Sequence, residues 1–123
     1  MDFDQVSHGV IGAALEVHKA LGPGLLESAY QRCLALELDA RGIRFRREVP
    51  IPLHFRGVTV DASYRADFIC ESQLIIEVKS VQKLEGIHRA QLLTYLKLTK
   101  LRTGLLINFN VQRLSNGTIR VVH

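Results

Sequence analysis

Between Thr103 and Phe109 the chain reads Thr-Gly-Leu-Leu-Ile-Asn-Phe, an apolar run too short for a helix and lacking the alternation of a strand with one wet face. Such a run predicts a strand covered on both sides. It follows a helical pattern marked by Leu84, Ile87, Gln91, Tyr95 and Leu98, which itself follows a strand-like segment, Leu74 to Lys79. A strand, a helix and a doubly covered strand make a right-handed crossover, so Thr103 to Phe109 is expected to lie parallel to Leu74 to Lys79.

The rest of the chain fits around that unit. Val6, Val10, Ala13, Ala14, Val17 and Leu21 recur at helical spacing and stop at Gly22-Pro23-Gly24. A second helix is expected from Leu25 to Ala40, closed by Arg41-Gly42. The period then becomes mostly even through Ile43, Phe45, Val49, Ile51, Leu53 and Phe55, with Arg56-Gly57 as a hairpin turn before Val58 to Val60. Pro50 and Pro52 put that strand at a sheet edge. Tyr64 to Cys70 and Leu74 to Lys79 pair around Glu71-Ser72-Gln73, completing a three-stranded antiparallel meander, and a hairpin at Asn116-Gly117 ends the chain. The expected class is α/β of the α+β kind: a mixed sheet flanked by helices, in the order α-α-β-β-β-α-β-β.

At 123 residues there is room for one domain with one core, spanning 1–123. A hydrophobic content of 47% with 23% charged residues excludes disordered and fibrous classes. The apolar runs are too short to cross a bilayer, and Asp2 and Asp4 stand where a signal peptide needs basic charge, so no membrane association and a cytoplasmic location are expected. Cys33 and Cys70 have no His or Cys at ligand spacing, which supports neither a zinc site nor a disulfide framework. The net charge of +4 and pI near 9.4 permit a polyanionic partner without requiring one.

Chemistry concentrates in Arg65-Ala66-Asp67 and Ile75-Ile76-Glu77-Val78-Lys79. A turn centred on Ser72 sets Asp67 opposite Glu77 and Arg65 opposite Lys79, with all four side chains on one face and Ile76 and Val78 on the other. Two carboxylates whose Cβ atoms are roughly 5 Å apart repel each other unless a cation intervenes, and an all-oxygen pair suits Mg²⁺ or Mn²⁺. A lysine beside that ion can orient a water attacking phosphorus or stabilise the charge that develops, so the reaction class is phosphodiester hydrolysis. For an arbitrary Glu-x-Lys, the ordinary explanation is a solvated strand face with cross-strand ion pairs.

Other residues carry similar alternatives. Glu27 lies in the first turn of a helix, where a carboxylate also complements the helix dipole. Tyr30, three residues on, shares its side, and core packing is the more ordinary explanation for it. Gln91 and Tyr95 are i and i+4 on an otherwise apolar stripe, and a glutamine there needs a partner. His18 is placed either to contact phosphate or to cap a helix end; His88 shares Gln91's side at the edge of the site. Arg41, Arg44, Arg46 and Arg47 form one basic cluster, and Lys83, Arg89, Lys97, Lys100 and Arg102 another. Either lines a nucleic-acid groove or is a solvated face.

Gly24-Leu25-Leu26-Glu27-Ser28-Ala29-Tyr30 matches the signature of the GxxExxY protein family. Asp67, Glu77-x-Lys79 and Gln91-x-x-x-Tyr95 resemble the motifs of PD-(D/E)XK nucleases, especially the exonuclease-like branch with a Gln-x-x-x-Tyr helix. The likeness extends to His18, Leu21-Gly22-Pro23-Gly24 and Asn108-Phe109-Asn110, with Ala66 standing where the superfamily's name has proline. The resemblance implies a restriction-endonuclease-like core and a Mg²⁺ or Mn²⁺ site at Asp67, Glu77 and the Val78 carbonyl, completed or supported by Glu27. It implies Lys79 as the catalytic lysine and Gln91 and Tyr95 positioning water, metal or phosphate; His18, Tyr30, Arg65 and His88 are the candidate substrate contacts. The implied activity is metal-dependent hydrolysis of DNA. The competing function is a catalytically silent module that keeps the nuclease fold and binds nucleic acid or protein. A domain of this size is also compatible with a homodimer that completes a substrate groove.

Overall fold

Asp2 and Gln5 bond reciprocally, side chain to backbone, at 2.8 and 3.0 Å, and this capping box starts helix α1, Phe3–Leu21. Its buried stripe is Val6, Val10, Ala13, Ala14 and Val17, as the spacing predicts, whereas Leu21 at the end of that pattern is exposed. The helix stops at Gly22, and Gly24 has φ 104°, a backbone region that side-chain-bearing residues rarely enter. Leu26 is extended and acts as N-cap, so the second helix, α2, runs from Glu27 to Ala40 and starts two residues later than its apolar pattern.

The computed structural model describes residues 1–123. After α2 come strands β1 (Phe45–Pro50), β2 (Leu53–Phe55), β3 (Val58–Val60), β4 (Arg65–Cys70) and β5 (Leu74–Lys79). Helix α3 (Gly86–Thr99), strand β6 (Thr103–Asn108), a 3₁₀ turn at Leu114–Gly117 and strand β7 (Thr118–Val122) follow. The five-stranded sheet is ordered β1-β4-β5-β6-β7, with β5 and β6 parallel and every other neighbouring pair antiparallel. Its elements read α-α-β-β-β-α-β-β along the chain, as expected, with β1 at the edge.

Two local expectations are corrected. The even-spaced pattern from Ile43 to Phe55 is not one strand: β2 leaves the main sheet and pairs only with β3 in a separate two-stranded sheet. Pro50 and Pro52 have no N–H to give a ladder, so the strand breaks there. The final hairpin has no tight Asn116-Gly117 turn, because those residues belong to the 3₁₀ turn in a longer β6–β7 connection.

The sheet is covered on both faces. Helices α1 and α2 pack over Phe68, Ile76, Val78, Leu105 and Ile107, while α3 packs Leu92, Tyr95 and Leu96 over Ile69, Ile75, Leu106 and Val121. Every residue of β6 is buried between these layers. A Cβ at Gly104 would stand 2.7 Å from a Leu92 methyl, so glycine there lets α3 approach closely. Both cysteines are free, and burial pushes the Cys70 thiol up to about 12, leaving it an inert core group. No helix is long and apolar enough to cross a membrane.

Candidate active site

Strands β4 and β5 pair as Cys70 with Leu74, Ile69 with Ile75 and Phe68 with Ile76, the register of a turn centred on Ser72. One step beyond, Asp67 and Glu77 come together, and side chains take over the bonding. The Asp67 N–H donates to Glu77 Oε2 at 2.8 Å, and the Val78 N–H donates to Asp67 Oδ2 at 2.7 Å. Each carboxylate therefore satisfies a backbone donor of the opposite strand, which fixes both groups without a cationic side chain bonded to either.

Burial dominates their electrostatics. Glu77 is only 4% exposed. Desolvation, and then the Asp67 charge, push its carboxyl up to about 8, against the lowering pull of the Asp67 N–H and the Lys79 ammonium. Asp67 is also raised by burial, with the Val78 N–H, a hydrogen bond with Glu77 and the Lys79 charge pulling it down and the Glu27 charge adding to the rise. The two carboxyls thus titrate as a pair at the half-buried Lys79, with Glu27 near enough to act on Asp67 through its field. No three His, Cys, Asp or Glu side chains meet in a common metal-holding cluster, so the direct donors gathered here are Asp67 and Glu77.

Helix α3 reaches the pair through Tyr95. Tyr95 is 3% exposed, and burial and the Glu77 and Asp67 charges raise its hydroxyl against the lowering pull of the Arg65 backbone. Gln91, one turn earlier, is half-buried and makes no hydrogen bond to protein through its amide; with His88, Tyr64 and Tyr95 it lines a cleft of about 270 Å³. His88 Nδ1 accepts from the Glu85 N–H at 2.9 Å, so one ring nitrogen serves the helix start. Arg65 is exposed at the start of β4.

Two residues expected as substrate contacts, Tyr30 and His18, are bonded within the protein. Tyr30 is fully buried, stacks on Phe109 at 4.7 Å, and donates its hydroxyl to the Gly22 carbonyl at 2.5 Å while accepting from the Leu25 N–H at 3.1 Å. The ring is spent on packing against Phe109 and the hydroxyl on holding the Gly-Pro-Gly corner that precedes Glu27. His18 donates from Nε2 to the Val111 carbonyl at 2.7 Å, tying α1 to the segment after β6.

Two supports carried no role in the sequence reading. Ser80 Oγ donates to the Leu25 carbonyl at 2.6 Å and joins the end of β5 to the start of α2. The Asn108 amide exchanges bonds of 2.9 and 3.0 Å with the Val81 backbone and pins the segment that follows Lys79. A buried asparagine closing an apolar strand is a signal for such a clamp; the serine offered none.

Against known proteins, a family model described as the PD-(D/E)XK nuclease superfamily matches residues 4–121. No curated protein and no solved structure matches the chain.

Proposed function

The chain belongs to the PD-(D/E)XK nuclease superfamily, and from that premise we propose that it hydrolyses phosphodiester bonds of DNA with Mg²⁺ or Mn²⁺ held at Asp67 and Glu77. The observation that carries this reading is the pair itself: two carboxylates desolvated together at the opening of a strand ladder, with only Lys79 nearby to offset their charge. A hard divalent cation fits that donor set, because all its ligands would be oxygens, from Asp67, Glu77 and the Val78 carbonyl, and it would relieve the repulsion. When bound, such an ion supplies Lewis acidity to a phosphoryl oxygen and a lower pKa to water.

The chain's own groups do the rest. Lys79 orients the attacking water and stabilises negative charge building on the phosphate. Gln91, whose amide has no protein partner, offers its N–H to a phosphate oxygen or to that water, and Tyr95 backs the Arg65 end of the site. Arg65 and the free Nε2 of His88 reach the substrate at the mouth. Glu27 adds negative charge that strengthens cation binding. The Gln-x-x-x-Tyr helix favours exonuclease-like action within a single domain, 1–123.

Hydrolysis of single-stranded, duplex and structured DNA and RNA with Mg²⁺ or Mn²⁺ tests this, comparing wild type with Glu77→Ala and Lys79→Ala. Wild-type cleavage lost in both variants is the expected result. Equal cleavage by all three proteins refutes the site, and no Mn²⁺ binding by calorimetry with salt-sensitive DNA binding intact assigns a silent binding module instead.

A further inference from the structure

The β2–β3 hairpin has an apolar face that the protein leaves uncovered. Its register sets Leu53 opposite Val60 and Phe55 opposite Val58, so these four side chains share one face. Phe55 is 61% exposed, Val58 60% and Val60 39%. The other face is polar, with Thr59 Oγ1 and His54 Nδ1 bonded at 3.1 Å.

The tip and the root of the hairpin are both built. Arg56 has φ 51° and Gly57 φ 76°, a two-residue turn with left-handed backbone at both positions. Arginine is not a residue such a turn favours, so the turn alone does not account for it. Its guanidinium lies 5.3 Å from the Phe55 ring centroid, against one face of the ring. At the root the Ile51 N–H donates to the Tyr64 carbonyl at 2.8 Å, and Pro50 pairs with Arg65, two residues from Asp67. The Tyr64 ring stands 5.9 Å from that of Tyr95. The hairpin therefore springs from the carboxylate end of the sheet. Five residues from Pro50 to Phe55 span at most roughly 17 Å, about five base steps of 3.4 Å each.

We propose that this hairpin is a base-stacking arm: Phe55, braced by Arg56, takes an unpaired nucleobase of a strand whose phosphates lie at Asp67 and Glu77. The proposal rests on the nuclease reading and adds a substrate class, single-stranded segments or frayed ends, because bases stacked in a duplex do not offer a free ring face. Charge and area both favour a base. Between Ile51 and Val60 the only charged side chain is Arg56 at the tip, so nothing there repels a polyanion. Phe55, Val58 and Val60 together offer on the order of 300 Å², well short of the roughly 800 Å² per partner of a stable protein interface.

The test is fluorescence anisotropy with a labelled dT12 oligonucleotide and an abasic strand of equal length, using wild type, Phe55→Ala, Phe55→Trp and Arg56→Ala. Wild type should bind dT12 about tenfold more tightly than the abasic strand; Phe55→Ala should erase that preference and Phe55→Trp keep it. Circular dichroism of each variant checks that the fold is kept. Equal dT12 binding by wild type and Phe55→Ala overturns the arm, and if wild type still cleaves DNA in a Glu77-dependent way the nuclease reading survives. Absence of both binding and cleavage in wild type overturns both. A wild-type dimer in light scattering that Phe55→Ala dissolves, with dT12 affinity unchanged, assigns the face to a second copy and also overturns the arm.

Discussion

Glu71 and Glu77 stand at opposite ends of the same β4–β5 hairpin, six residues apart, and their carboxyls are driven in opposite directions. At the turn, Glu71 accepts from the Arg44 N–H at 2.6 Å and pairs with its guanidinium at 3.2 Å, and these bonds hold it below the usual carboxylate range. At the open end, Glu77 is desolvated beside Asp67 and is pushed up to about 8. Residue type is the same; the difference lies in what each end of the hairpin supplies. The turn end supplies a cation and a continuous ladder, while the open end gives up its ladder to hold two like charges in one place. Such an arrangement costs stability when both groups are ionised, and is explained if an external cation completes it.

The strongest way to break that contrast is to neutralise Glu77 in place. Glu77→Gln keeps the shape, so hydrolysis should fall by at least about 100-fold while the thermal midpoint at pH 8 holds or rises. A folded variant with unchanged turnover would remove the site from this end of the hairpin. Ile75 is fully buried in the closed part of the ladder and gives the reverse expectation. Ile75→Ala should lower the unfolding free energy by about 2–5 kcal/mol in urea titrations, with turnover per folded molecule near wild type. If instead Ile75→Ala abolished activity in fully folded protein, the two ends would not be separable.

The pH dependence should carry opposite signs at the two ends. Glu77's folded pKa lies above its unfolded value of 4.5, so its contribution is complete below that value and is lost as pH rises through about 8. Without divalent cations, denaturant midpoints should therefore fall from pH 5 toward pH 8, and Glu77→Gln should flatten the slope. On the proposed function a cation would bind the ionised pair, so Mn²⁺ should raise the melting temperature more at pH 8 than at pH 6 and release protons that calorimetry in two buffers detects. A Mn²⁺ shift of equal size at both pH values would contradict the coupling.

Much of this hairpin was legible because its logic is local. A turn at Ser72 fixes the register, and alternation then puts Asp67, Glu77 and Lys79 on one face. The parallel β5–β6 pair was equally legible from one apolar run after a helix. Long-range bonding was not. Tyr30 fits a motif spacing that suggests a substrate contact, yet its hydroxyl goes to a corner whose shape depends on Gly22 and Gly24. His18 finds its partner in Val111, 93 residues away, which no spacing rule reaches. The break at Pro50 and Pro52 was visible as an edge signal, but the departure of β2 into its own sheet depends on which neighbour β4 accepts.

The finest test of the contrast lies at Glu71. Its folded pKa is below the unfolded value, so it contributes stability above pH 4.5 that is lost as pH falls through the lower folded value. Its guanidinium partner is largely solvent-exposed, which keeps the effect small and sensitive to salt. Glu71→Gln should therefore be slightly less stable than wild type from pH 5 to pH 8, with the two melting curves converging in acid and in high salt, and with hydrolysis unchanged throughout. Cleavage that fell with Glu71→Gln in folded protein would mean that the turn end helps to set the Asp67–Glu77 geometry. The hairpin would then transmit along its length what the two titrations otherwise separate.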